Sequence, residues 1–317
     1  MTATRTVSRR TLLQLGGQTA AMLGFSSLTG TLRAQSSPVR HLEEGYREEL
    51  FYREDWLGEP WRKPDPVVLI HGNDESSIEW YGWVPRMAQE YRLIRPDLPG
   101  LGHSVIPRGF EYSLANLATF VTRVMDKAGI ESAHIIGAKT GGAVAMRLAA
   151  DHPRRTRSLV VAGGPASPLA IADPSPIPQR DRLGSNVSKE MIDYWNTLFS
   201  HTDREAVKGL SKSLSNFDLA KEGVLQRITA PTLVITGDRS KMHSVEKARA
   251  YQVQIPNSRL VVIRSDAYHI AAANADECVT HTLAFLKERK ESGITSADGI
   301  TLSSDRRPVC KRSNRRR

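Results

Sequence analysis

Cysteine is scarce in this 317-residue chain: Cys278 and Cys310 are the two present, and neither has a CxxC or metal-ligand neighbour. That excludes a disulfide-stapled scaffold and a zinc site built on cysteine pairs. Long apolar runs are also lacking. The stretch after Thr11 is interrupted by Gly16, Gly17, Gln18, Gly24, Ser26 and Ser27, too polar for a membrane span. There is no dinucleotide fingerprint, no Walker loop and no zinc spacing, so the sequence implies no cofactor and no metal. The histidines His41, His134, His152, His201, His243 and His281 form no ligand cluster. No internal repeat of 20–50 residues appears.

Acids are missing from both ends, and this explains the net charge of +10. Residues 1–35 carry Arg5, Arg9, Arg10 and Arg33, while residues 306–317 carry seven further cations. Without these eleven, 33 Lys and Arg face 34 Asp and Glu. The body is therefore near neutral, and its charge gives no footprint for a nucleic-acid partner.

The ends carry signals of their own. Ser8-Arg9-Arg10-Thr11-Leu12-Leu13, a short weakly apolar region and Ala34 describe an export signal of the twin-arginine class over residues 1–35. This implies a periplasmic or secreted protein with no stable membrane insertion after signal removal. Residues 291–317 are polar, then Arg-rich, and read as a disordered basic tail.

Between the ends, over 36–290, apolar strand-like runs alternate with helical patterns. Val67–Ile70, Tyr91–Arg95, Ala133–Ile136, Leu159–Ala162, Thr232–Ile235 and Leu260–Ile263 read as strands. Leu114, Leu117, Ala118, Val121, Val124, Met125 and Ala128 line one helical face, Ala143–Ala150 is a second helix, and Ile270–Lys290 a closing one. This alternation predicts an α/β fold with a mostly parallel, doubly wound sheet. Residues 164–230 break the pattern with a Pro-rich loop and helical stretches near 188–199 and 203–214. They read as an inserted helical cap over the strands' C-terminal edge, where open α/β sheets bind ligands.

In this order, His71-Gly72-Asn73, then Asp97-Leu98-Pro99-Gly100-Leu101-Gly102-His103-Ser104, then Gly237-Asp238, then Tyr268-His269 resemble the motifs of the α/β-hydrolase superfamily over residues 46–290. The resemblance implies the α/β-hydrolase fold, an oxyanion hole from the backbone N–H groups of Asn73 and Thr140, and His269 as the base. It implies structural roles for His71 and for Asp97 and His103 around the Pro99-Gly100 turn. The family's G-x-S-x-G elbow is present as Gly137-Ala138-Lys139-Thr140-Gly141, with Lys139 in place of the nucleophilic serine. The usual acid position holds Ser240, leaving Ser240 or the offset Asp238 to orient His269.

An acyl-serine mechanism needs a hydroxyl nucleophile, and Lys139 excludes it. A helix N-terminus and burial disfavour a charged lysine, so the sequence predicts an amine able to act as a base or attack a carbonyl. If Lys139 is charged, its candidate partners are Asp74, Glu75, Asp238 or a substrate carboxylate. As loop acids, Asp74 and Glu75 are expected to face water. Trp80, Tyr81 and Trp83 are read as packing, and Tyr194 and Trp195 as cap packing. The chain is thus expected to be an exported enzyme acting on a small carbonyl or carboxylate compound through Lys139 and His269, by lyase-, decarboxylase- or isomerase-like chemistry or direct water activation. The alternative is an inactive binding protein holding a small carboxylate through Lys139.

Overall fold

Continuous apolar runs place a strand where both faces can be covered, and the strands at the centre of this sheet are buried throughout. The fold is given by a computed structural model that describes residues 47–168, 178–200, 203–240 and 242–291. These lie in the second of two units, which begins at Glu44; the first lies outside the described residues. The expected export segment and the basic tail from residue 292 lie outside them as well.

Seven strands form one sheet: β1 (Tyr52–Asp55), β2 (Pro66–Ile70), β3 (Arg92–Pro96), β4 (Ala133–Ala138), β5 (Thr156–Ala162), β6 (Thr232–Gly237) and β7 (Ser258–Ile263). Their order is β1-β3-β2-β4-β5-β6-β7, parallel except for β1, which runs antiparallel to β3. Six strands coincide with the expected runs. The seventh, β1, was not legible: its four residues, Tyr-Arg-Glu-Asp, belong to a half-exposed edge and carry no apolar run.

Helices cover both faces. They are α1 (Val84–Met87), α2 (Leu114–Lys127), α3 (Thr140–Asp151), α4 (Gln179–Leu183), α5 (Lys189–Ser200), α6 (Arg204–Ser213), α7 (Val245–Gln252), α8 (Ile270–Ala273) and α9 (Ala275–Glu291). Ser113 caps α2 by accepting from Asn116 N–H at 3.1 Å, and the whole predicted apolar stripe of α2 is buried. The closing helix is divided where one continuous helix was expected. Asn274 leaves the helical conformation and its Oδ1 accepts from Ser265 Oγ–H at 2.7 Å, separating α8 from α9.

The segment between β5 and β6 supplies α4, α5 and α6, where helical stretches near 188–199 and 203–214 were expected. Leu183 and Trp195 bury their side chains against Ala272, which fastens this segment to α8. Asn73 Nδ2–H fastens the other side by donating to Val207 O at 3.3 Å and Ser211 Oγ at 2.9 Å on α6.

One buried histidine lies away from this region. Among the described residues His243 has no hydrogen-bond partner on either ring nitrogen, and burial pushes its pKa down to about 4. The unfolded chain protonates this residue near 6.5, so it binds the extra proton between about 6.5 and 4. Stability is therefore expected to fall as pH drops through that window, by on the order of 3 kcal/mol from His243 at about 1.4 kcal/mol per unit. Urea midpoints measured against pH test this: His243→Phe should flatten the slope, and an unchanged slope would count against it.

Candidate active site

A lysine in a sharp strand-to-helix turn is the departure around which the site is built. Lys139 joins β4 to α3 with φ 50° and ψ −123°, one of two non-glycine residues with positive φ among those described. Such a backbone costs on the order of 1–3 kcal/mol and persists where the surroundings impose it. Here they do: a Cβ at Gly141 would run into the carbonyls of Ile70 and His71. The turn therefore needs glycine beside Lys139 and holds Lys139 over the end of β2.

The loop after β2 brings in the partner. Asp74 adopts φ 64°, with its N–H donating to Asn73 Oδ1 at 2.9 Å, and this left-handed turn directs Glu75 inward. Gly72 N–H donates to Glu75 Oε2 at 2.8 Å, and Glu75 Oε1 forms an ion pair with Lys139 Nζ. Both side chains are almost fully buried, at 4% and 0% exposure. The expectation that Glu75 faces water is corrected, because the turn at Asn73-Asp74 reverses its direction. Asp74 lies nearer the surface, 3.7 Å from Arg204. Of the candidate partners for a charged Lys139, it meets Glu75, with the Tyr268 ring centroid 5.6 Å from its Nζ.

Glu79, which the sequence reading passed over, completes the cluster. It sits four residues beyond Glu75 on the 3₁₀ segment Ser77–Gly82. That segment is anchored at Ser77, whose N–H donates to Asp97 Oδ1 and whose carbonyl accepts from Arg95 Nη1–H at 2.7 Å. Arg95 is itself held by Asp55 through two hydrogen bonds of 2.7 and 3.0 Å. The spacing of two acids after His71-Gly72 was the signal available for Glu79.

His269 reaches the same point from the loop after β7. Its Nε2 lies 3.2 Å from Glu75 Oε1 and 3.4 Å from Glu79 Oε2, and its Nδ1 has no partner among the described residues. The cap fixes its position: His269 N–H donates to Arg182 O at 2.8 Å, and the Trp195 ring packs edge-on at 5.0 Å. Neither expected orienting group meets it. Asp238 accepts from Ser265 N–H at 2.8 Å and pairs with Arg239, while Ser240 Oγ accepts from His243 N–H at 3.4 Å. Asp238 and Ser240 thus serve the β6 and β7 loops, and the carboxylates near His269 come from the opposite side of the site.

Burial decides the protonation pattern. Burial alone would raise both glutamates, yet nearby His269 and Lys139 hold Glu75 well below its ordinary value. Glu79 is raised well above it by burial and by the adjacent Glu75. Two carboxyl groups in contact thus share one proton, carried by Glu79. Burial lowers His269, and the attraction of Glu75 opposes that shift.

The expected structural roles fit the contacts. His71 Nδ1–H donates to Gly72 O at 2.7 Å and its Nε2 accepts from Leu98 N–H at 2.9 Å. Asp97 Oδ2 accepts from His103 N–H at 2.8 Å across the Pro99-Gly100 turn. Thr140 follows Lys139 as the first residue of α3, and Asn73 follows Gly72 in the loop after β2. Trp80 and Trp83 are buried packing, whereas Trp195 lines a cavity of about 370 Å³ together with Glu75, Ile78, Glu79 and Leu198. Lys139 and His269 contact the two glutamates behind this wall. Donor atoms of Glu75, Glu79 and His269 lie within 4.8 Å of one another, the one such metal-compatible group among the described residues. Lys139 already supplies a tethered cation at Glu75 Oε1.

Removing that cation should be costly. Lys139→Met leaves the Glu75 carboxylate buried without its partner and is expected to destabilise the fold by about 3–5 kcal/mol. Adding Glu75→Gln should recover much of the loss. Denaturant unfolding of both single variants and the double variant measures the coupling, and strictly additive losses would contradict the pair.

Residues 65–187 match the family model for the alpha/beta hydrolase fold. A pimeloyl-(acyl-carrier protein) methyl ester esterase from Aeromonas hydrophila is 42% identical over 103 residues, covering 32% of this chain and 39% of that protein. A poly(3-hydroxyalkanoate) depolymerase from Ectopseudomonas oleovorans is 23% identical over 247 residues, covering 72% of this chain and 87% of that one. The chain spans 28 to 41% of the length of several curated relatives it matches. Among solved structures, the enol-lactonase from Burkholderia xenovorans aligns with a TM-score of 0.65 at 23% identity, over 75% of this chain and 96% of that one. Among the described residues, no helix is long and apolar enough to cross a membrane. The chain has the α/β-hydrolase fold, and its segment 65–187 matches the family model for that fold.

Proposed function

We propose that this chain is an enzyme acting on a small carbonyl compound by proton transfer, without an acyl-serine intermediate. One observation carries the reading: Glu75 Oε1 is shared between Lys139 Nζ at the elbow and His269 Nε2 at 3.2 Å. A base, an acid and a fixed cation in contact beneath a cavity support general acid–base catalysis, which contributes about 10²–10⁴-fold in rate. The amides of Asn73 and Thr140, beside the electropositive start of α3, suit an oxyanion developing on the substrate. The reaction class is lyase-, decarboxylase- or isomerase-like, or hydrolysis by directly activated water.

The relatives include proteins named as an esterase, semialdehyde and heptadienoate hydrolases, and a depolymerase, which is consistent with a carbonyl substrate. Holding a ligand carboxylate through Lys139, as the binding-protein alternative requires, is disfavoured because Glu75 already meets that charge. We also propose export through the twin-arginine route; the support is Arg9-Arg10 followed by Leu12-Leu13.

A panel of esters, lactones, β-keto acids and hydroxy-carbonyl compounds tests the activity. Turnover by the wild type should survive a serine-directed organophosphonate and fall at least about 100-fold in Lys139→Ala. Inhibition by the organophosphonate, or unchanged kinetics in the variant, would refute the mechanism. For export, substituting Arg9 and Arg10 by lysine should retain the protein inside the cell, and undiminished export would reject the route.

A further inference from the structure

The spacing of the elbow cluster is poorly explained by hydrogen bonding alone. His269 Nε2 lies 3.2 Å from Glu75 Oε1 and 3.4 Å from Glu79 Oε2. One Nε2 hydrogen serves only one of these oxygens, and the longer contact exceeds the usual length of an N–H···O bond. The other oxygen of Glu79, Oε1, is buried with no hydrogen-bond partner among the described residues.

Three donors around one ion have this spacing. Imidazole nitrogen and carboxylate oxygen bind zinc at about 2.0–2.2 Å, which sets two ligands at the tetrahedral angle roughly 3.3–3.5 Å apart. Donor atoms of Glu75, Glu79 and His269 all lie within 4.8 Å of one another. Their side chains are 0%, 2% and 2% exposed, so little water competes for an ion held there. Each donor is also fixed from outside the cluster. Gly72 N–H holds Glu75, Asp97 holds the start of the segment carrying Glu79, and the Arg182 carbonyl holds the His269 backbone.

We propose that Glu75, Glu79 and His269 form a binding site for one divalent transition-metal ion of the zinc class, with Glu75 Oε1, Glu79 Oε2 and His269 Nε2 as its ligands. One imidazole with two carboxylates suits such an ion better than the all-oxygen sets of calcium or magnesium. Lys139 stays outside the ligand set: its Nζ takes one lone-pair direction of Glu75 Oε1 and leaves the other for the ion. The ion enters as the Glu79 proton leaves, so the protonated and loaded clusters are alternative states of the same donors. Two carboxylates then face a divalent ion and an ammonium, and a hydroxide as fourth ligand offsets the remaining positive charge. The cavity of about 370 Å³ that Glu75 and Glu79 line is its source. The site goes beyond the proton-transfer reading and does not rest on it, because ion content is measured without turnover.

Elemental analysis of the full chain, made without a histidine tag, loaded with zinc and dialysed exhaustively, should find about one ion per chain. Cobalt in place of zinc should give visible d–d bands of tetrahedral intensity. X-ray absorption at the zinc edge should show nitrogen and oxygen donors with imidazole scattering and no sulfur. Glu79→Gln and His269→Gln should each weaken zinc binding at least about 100-fold, more than an outer-sphere change costs. His152→Gln, at the far end of α3, should leave it unchanged. Less than about a tenth of an ion per chain, sulfur among the donors, an octahedral cobalt spectrum, or unchanged affinity in both cluster variants would each overturn the site. Should a variant fail to fold, the cobalt and X-ray absorption spectra of the wild type still decide. If no compound is turned over, the proton-transfer reading fails alone and these measurements stand.

Discussion

A lysine ammonium and a glutamate carboxylate, both removed from water, form the contact on which this site depends. Lys139 sits in a backbone conformation that costs stability, and its pairing with Glu75 desolvates two charges. An apolar pair of similar volume would satisfy the fold at least as well. Two costs at one position support the function proposed for this site. The pair also shapes the rest of the electrostatics: Glu75 is held low by His269 and Lys139, and burial with the adjacent Glu75 holds Glu79 high.

Secondary structure delivers each member from a different direction. The β2 loop contributes Glu75, the 3₁₀ segment anchored by Asp97 and Arg95 contributes Glu79, the β4–α3 turn contributes Lys139, and the β7 loop contributes His269. The cap is part of this assembly. Through the Arg182 carbonyl and the Trp195 ring it holds His269, so a displacement of α4 or α5 would change the proton-handling centre directly. Trp195 is also cavity wall, so under the proposed function access to the cavity and the placement of His269 would be coupled.

Much of this architecture was legible in the sequence because buried parallel strands are written as continuous apolar runs and the elbow as closely spaced glycines. The edge strand β1 has no such run, and the break at Asn274 depends on a side-chain bond to Ser265 formed only in the folded chain. For the site, Lys139 and His269 stood at recognisable positions. Glu75 was one of several candidate partners for Lys139 although it was expected to face water, and Glu79 was not singled out. What turned Glu75 inward was the positive φ of Asp74, a single dihedral that residue identity permits but does not specify. The search for an acid near Ser240 failed for a related reason: the groups meeting His269 come from the β2 side, almost two hundred residues away in the chain.

At the elbow Lys139 pairs with Glu75, whose carboxyl is held well below its ordinary value, while the neighbouring Glu79 is held well above it and keeps the proton. Neutron diffraction from deuterium-exchanged crystals locates these protons most directly. The account predicts deuterium on a Glu79 carboxyl oxygen and none on Glu75, with Lys139 Nζ facing Glu75. Deuterium on Glu75 with a bare Glu79, or Lys139 turned away from both, would contradict it.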